Sequence, residues 1–155
     1  MFEFTEEQKM MRETVRKLGI EKLEPRAAEV DRTGEFPWDL MKVLAENGIL
    51  QLPLPDEYGG VNADTTTLCI VSEELAKYCN TSSFVICIQG SNMKVISAGG
   101  NEEQKDRFFK RLSSGDEITA FALTEPSGGS DVGAMKTRAV RQGDNYILNG
   151  TNLVS

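Results

Sequence analysis

Apolar residues recur at helical spacing through the first two thirds of the chain. Met11, Val15 and Leu18 fall at i, i+4 and i+7 behind Thr5 and Gln8, a capping-box pair, and predict a first helix with one buried face. Pro25 interrupts the pattern, which predicts a kink or a second helix over about Glu24 to Arg32. Pro37 suits the first turn of a third helix, with Leu40, Val43 and Leu44 facing inward and Asn47-Gly48 as its stop. "LPLPDEYGG", Leu52 to Gly60, predicts a rigid loop, since its Pro and Gly content suits neither regular element.

Asp64 opens a fourth helix whose apolar stripe is Leu68, Val71, Leu75 and Tyr78, with Glu73, Glu74 and Lys77 off the stripe. A fifth, from about Ser83 to Ser97, is apolar nearly all round in its first half, which predicts deep burial. Asn101 with Gln104 caps a sixth helix, buried through Phe108, Phe109 and Leu112. After Gly115 the period shortens to two. "ITAFALT" sets Phe121 and Leu123 against Ala120 and Ala122, and Met135–Arg141 and Asn145–Asn149 read as two further strands joined across Gln142-Gly143-Asp144. The expected fold is therefore mainly α. A bundle of about six helices over residues 1–115 is followed, over 116–155, by the first strands of an incomplete, truncated β domain.

Composition narrows the partners. A chain of 155 residues can bury a core without staples, and its 17 basic against 24 acidic residues, a formal charge of −7, offer no field for a nucleic-acid backbone. The longest apolar run, Phe84 to Ile88, is far too short for a membrane span. The acidic start "MFEFTEEQKM" resembles neither a secretory nor a transit signal, so a bacterial cytoplasmic location is expected. Cys69, Cys79 and Cys87 are odd in number and fit no CxxC spacing, which predicts buried free thiols in a reducing compartment and no metal site. The chain has no histidine, which excludes Ser-His-Asp, Cys-His and HExxH chemistry within it. Neither GxGxxG nor a P-loop motif occurs, so redox chemistry would need a cofactor bound in another way.

One stretch suggests a site. In "FALTEPSGGSDVG", Phe121 to Gly133, the residues Gly128, Gly129 and Ser130 carry no bulk to hold a ligand off the backbone, and successive amides in such a turn can cradle a phosphate. Thr124 offers a hydroxyl to a heteroatom of a planar ring. Gly/Ser/Pro clusters also mark plain surface turns, and composition alone does not separate the two readings.

That stretch, followed by "KTRAV" and "YILNGT", resembles the flavin-contacting signature of the acyl-CoA dehydrogenase family. "LPLPDEYGG", "SEELAKYC" and "GNEEQKDRFFKRLSSGD" resemble three further motifs of that family in the same order, and the likeness covers essentially the whole chain. The resemblance implies the N-terminal helical domain of an FAD enzyme plus the start of its middle β domain. Such an enzyme dehydrogenates an acyl-CoA at the α,β-position and hands electrons to an electron-transferring flavoprotein, usually as a homotetramer. By the same likeness Phe121, Leu123 and Thr124 match the strand along the flavin ring, and Gly129 and Ser130 match the segment near the flavin pyrophosphate and the CoA arm. Phe84, Cys87 and Ser91 match the helix that helps line the acyl pocket, with ordinary core packing as the competing reading. The family's catalytic glutamate belongs to a C-terminal domain, so no catalytic residue is expected in this chain, which reads as a fragment or a natural truncation. Glu125 is not the base in the family motif. Where the family places a lysine and an aromatic after "NGT", this chain has Asn152-Leu153-Val154. A second reading stays open, in which the chain is a stand-alone, non-catalytic helical module that binds a protein partner or an acyl-CoA.

Overall fold

The computed structural model describes residues 3–153, which divide into two compact units, one ending at Ala120 and the other beginning at Phe121. The first unit is helical. Helix α1, Glu6–Leu18, begins at Thr5, whose hydroxyl accepts from the Gln8 amide while the Gln8 side chain accepts from the Thr5 amide, the reciprocal cap expected there. Helix α2, Glu24–Thr33, follows through a π turn at Gly19–Leu23. The cause is Pro25. It has no amide to give to the Glu21 carbonyl four residues back, and the ladder widens locally so that the Glu24 amide reaches Gly19 instead. Gly19 must also stay bare, because a Cβ there would collide with the ring of Tyr78.

Helix α3, Trp38–Glu46, starts at Pro37 and ends at Asn47, with Gly48 beyond it at a φ of 74° that glycine alone adopts without strain. It buries Leu40, Met41 and Leu44, while Val43, expected inward, is only half-buried. The Pro/Gly loop holds a short 3₁₀ turn at Asp56–Tyr58, and its sharp return at Gly60 leaves no room for a Cβ against the Leu54 backbone.

Helix α4, Thr65–Ala76, is capped by Asp64, whose carboxylate accepts from the Thr67 amide at 2.6 Å. Helix α5, Asn80–Gly99, and helix α6, Glu102–Ser113, complete the six. Asn101 and Gln104 cap α6 reciprocally, as expected. The principal core joins Val15, Leu18, Leu23 and Val30 to Leu40, Met41, Leu44, Val71, Leu75 and Ile86. A second cluster of Leu54, Met93, Phe109 and Leu112 sits under Tyr58, whose ring stands edge-on to Phe109 at 4.9 Å. The Tyr58 hydroxyl donates to Glu102 at 2.7 Å, and that carboxylate pushes the phenol pKa up to about 12.

Three expectations fail within this unit. Glu74 does not lie off the buried face of α4; it is fully buried and meets Arg16 at 2.9 Å, Lys77 at 2.7 Å and Arg12 at 3.5 Å. Burial pushes its carboxyl up, but Lys77 and Arg16 outweigh burial and leave it below the usual range. The first half of α5 is not deeply buried all round: Phe84 is 64% exposed and Cys87 is exposed, while Ser82, Ser83 and Gln89 turn inward. Phe108 is partly exposed under the Arg107 guanidinium, and Phe109 and Leu112 carry the inner face of α6.

The second unit contains an antiparallel hairpin of β1, Arg138–Gln142, and β2, Asn145–Asn149, with Gln142 opposite Asn145 and Arg138 opposite Asn149. The turn is Gly143-Asp144, shorter by one residue than the sequence suggests, with Gly143 at a φ of 62°. "ITAFALT" forms no strand among the described residues, so two strands are present where three were expected. Its alternation supplies β propensity, but a strand exists only when a neighbour completes its ladder. No described helix is long and apolar enough to cross a membrane.

Candidate functional site

The quoted Phe121–Gly133 stretch is organised around one buried carboxylate. Glu125-Pro126-Ser127-Gly128 close as a four-residue turn: the Glu125 amide donates to the Gly128 carbonyl at 3.1 Å and the Gly128 amide returns to the Glu125 carbonyl at 2.9 Å. Pro126 presets the turn, and Gly128 closes it at a φ of 144° that a side chain would disfavour. The Glu125 side chain, 4% exposed, accepts from the Lys136 amide at 2.8 Å, the Thr137 amide at 2.7 Å and the Ser127 hydroxyl at 3.4 Å. The adjoining Thr137 side chain and the two amides hold its pKa down to about 2. A carboxylate held so firmly ionised and spent on backbone amides is a poor proton acceptor. Its place is structural: it pins the turn to the segment that enters β1.

That pin leaves the neighbouring groups uncommitted. Thr124 is exposed, and its hydroxyl has no hydrogen-bond partner among the described residues; its carbonyl accepts from the Leu153 amide at 2.7 Å. Gly129 lies beside it, so close that a Cβ there would sit 3.1 Å from the Thr124 hydroxyl oxygen. Ser130 is exposed, and its hydroxyl is likewise unpartnered among the described residues. Phe121 is 57% exposed, Leu123 half-buried. Asn152, where the family pattern has lysine, donates to the Ala122 carbonyl at 3.2 Å; Val154 and Ser155 lie outside the described residues. A strip of two apolar side chains, two unspent hydroxyls and a bare glycine is thus presented by one unit. The donor set fits a planar heteroaromatic ring carrying a phosphate arm, with apolar contact for the ring, a hydroxyl for its heteroatoms, and room for phosphate at Gly129 and Ser130.

A separate cavity of about 200 Å³ lies in the helical unit, between α4 and α5. Cys87 and Ser91 line it, but Phe84 does not. Its walls add residues that the sequence reading missed: Leu68, Cys69 and Ser72 from α4, and Ile86, Gly90 and Lys94 from α5. Cys87 donates to the Ser72 hydroxyl at 3.2 Å and Ser91 to the Cys87 carbonyl at 2.9 Å. The i, i+4 spacing of Cys87 and Ser91 was legible in the sequence. Which α4 residues face them was not, because that depends on how the two helices cross. Cys69, Cys79 and Cys87 are free thiols, but only Cys79 is buried as expected; Cys69 and Cys87 are exposed, on the α4 and α5 walls of the cavity, and no cluster of metal-ligating side chains occurs among the described residues.

Known proteins give these features a context. The family described as acyl-CoA dehydrogenase, N-terminal domain, matches residues 5–116. The cyclohex-1-ene-1-carbonyl-CoA dehydrogenase of Syntrophus aciditrophicus is 41% identical over 151 residues, covering 97% of this chain and 36% of that protein. The short-chain-specific acyl-CoA dehydrogenase of Clostridium acetobutylicum is 37% identical, covering 98% of this chain and 40% of its own length. Among solved structures, a glutaryl-CoA dehydrogenase of Mycobacterium smegmatis in complex with FADH2 superposes with a TM-score of 0.87 at 32% identity, over 96% of this chain and 39% of that one. The chain thus spans about two fifths of the length of the relatives it matches.

Proposed function

Because the chain belongs to the acyl-CoA dehydrogenase family through its N-terminal domain, we propose that it is part of a flavin-dependent enzyme that oxidises an acyl-CoA thioester at the α,β-position. FAD, when bound, supplies the chemistry of accepting a hydride from the β-carbon. The residues of this chain bind and orient. Phe121 and Leu123 give apolar contact to the flavin ring, Thr124 donates a hydrogen bond to it, and Gly129 with Ser130 leaves space and donors for the pyrophosphate and the CoA arm. Cys87 and Ser91 line the acyl end of the substrate site, with Phe84 one turn away on the same helix. Residues 1–115 are the helical domain of that enzyme and 116–155 the beginning of its β domain. The substrate's proton is not taken by Glu125, whose lone pairs are committed to backbone amides. Electrons leave to an electron-transferring flavoprotein, and the working enzyme is a cytoplasmic bacterial homotetramer.

One observation carries this reading: the Thr124 hydroxyl is exposed and has no partner among the described residues, beside a bare Gly129, while the adjacent Glu125 carboxylate is fully engaged. Anaerobic mixing of the full-length protein with a series of acyl-CoAs, followed by flavin absorbance, tests it. The expected result is bleaching of the oxidised flavin band by at least one acyl-CoA. A Thr124→Val protein should keep its fold but bind FAD more weakly, by about the 1–3 kcal/mol that a hydrogen bond to a buried polar partner is worth. A full-length protein that holds no flavin, or holds flavin that no acyl-CoA reduces, would overturn the assignment and favour a binding module.

A further inference from the structure

The inner side of α5 is unusual for a core helix. Ser82, Ser83, Gln89, Gly90 and Asn92 are buried there, with Ile86 and Met93 as its fully buried large apolar side chains and Val85 and Ile96 half-buried against the two core clusters. Small and polar groups provide little apolar area to define how far the helix slides or rotates on its neighbours. Directional hydrogen bonds must fix its place. Two sites supply them. Ser83, 6% exposed, donates to the Ser72 carbonyl of α4 at 2.7 Å. Gln89, 2% exposed, donates to the carbonyls of Leu112 at 3.2 Å and Glu117 at 3.4 Å, and its oxygen accepts from the Thr119 amide at 3.0 Å and hydroxyl at 3.2 Å.

Every polar capacity of the Gln89 amide is therefore used, on a segment running from the end of α6 to Thr119. A buried amide without partners would cost stability, so this one is either fully engaged or a defect. Its position gives it a second consequence. Of the five α5 residues on the cavity wall, Ile86, Cys87, Gly90 and Ser91 lie within one turn of Gln89, and Lys94 lies beyond them. Ser83 holds one end of that wall against α4, and Gln89 holds its middle against the 112–119 segment.

We propose that Gln89 is a positioning residue for the cavity: it sets the register of α5 and so the placement of Cys87 and Ser91 on the cavity wall. The proposal rests on the reading of this cavity as the acyl end of the substrate site for its catalytic consequence, but not for its geometric one. Small displacements of groups that position a substrate cost catalysis out of proportion to their size.

The test uses the full-length protein with Gln89→Met, which keeps side-chain length and volume but removes all four hydrogen bonds. A truncation in α2 at Val30, chosen to match its loss in Tm, serves as the control for plain destabilisation. Two readouts are taken: the rate at which iodoacetamide alkylates Cys87, in a Cys69→Ser background with Cys79 buried, and KM against kcat for the best acyl-CoA. Gln89→Met should alkylate roughly fivefold faster than the control, the equivalent of about 1 kcal/mol, and raise KM with kcat nearly held. Equal alkylation rates in the two proteins would overturn the proposal. Faster alkylation with KM unchanged would leave the positioning role standing and remove the cavity from the substrate site.

Discussion

Two buried carboxylates show how differently the two units are held together. Glu74, in the helical unit, is fully buried and is balanced by Arg12 and Arg16 of α1 and by Lys77 just past the end of α4. Glu125, in the unit from Phe121, is the only buried residue described there, and it is balanced by backbone amides. The hairpin beside it exposes both faces, with Val140, Ile147 and Leu148 between 43% and 73% exposed. The helical unit owes its order to apolar area, the other to a few directional bonds. A region of the second kind leaves its surface groups uncommitted, and that is where the strip from Phe121 to Ser130 lies.

Removing each feature should sharpen this contrast. The largest effect belongs to Glu74→Gln, which leaves Arg12, Arg16 and Lys77 without their shared anion. The expected loss is about 2 kcal/mol, the worth of charge-assisted hydrogen bonds to a buried carboxylate, because Arg12, Arg16 and Lys77 are partly exposed and keep Glu73 or Glu13 as partners; urea unfolding of the helical unit measures it. Loss below about 0.5 kcal/mol would mean that these cations simply turn to water.

Next comes the acid response of Glu125. Its folded pKa of about 2 lies below the ordinary 4.5, so its stabilisation is fully present above pH 4.5 and is lost as pH falls from 4.5 towards 2. Amide exchange at Lys136 and Thr137, measured relative to the intrinsic rate at each pH, should speed up through that window in the natural protein. In Glu125→Gln it should be faster at neutral pH and carry no such step.

The smallest effect is expected for Leu148→Thr on β2. Leu148 is 73% exposed, and the change should stay within about 0.5 kcal/mol by thermal unfolding of this chain. A larger loss would mean that the hairpin packs more firmly than its exposure indicates.

The helical unit was legible in the sequence because its signals are local. Thr5 with Gln8, Asp64, and Asn101 with Gln104 start helices where their side chains can reach amides three residues on, and the structure has each cap. What failed to be legible depended on distant neighbours. Glu74 follows the pattern of a surface acid, and only the crossing of α1 over α4 brings Arg12 and Arg16 to it. Phe84 to Ile88 is an apolar run, yet α5 turns Ser83 and Gln89 inward because Ser72 and the 112–119 segment offer them partners. "ITAFALT" has strand-like alternation but no ladder partner among the described residues. At the candidate site, the residue types of the Phe121–Ser130 turn were legible. The part played by Glu125 was not, since the amides it pins lie eleven and twelve residues further on.

The proposed contact of Thr124 with the flavin is tested most directly by FAD binding. FAD should be titrated into the full-length apoprotein and its Thr124→Val variant, following flavin absorbance and fluorescence. The expected result is saturable binding by the natural protein and about tenfold or greater weakening in the variant, matching a loss near 1.4 kcal/mol, with thermal unfolding of the two apoproteins unchanged. Equal affinity in the two proteins would contradict the placement of the ring at Thr124, and no saturable binding in either would contradict the flavin site altogether.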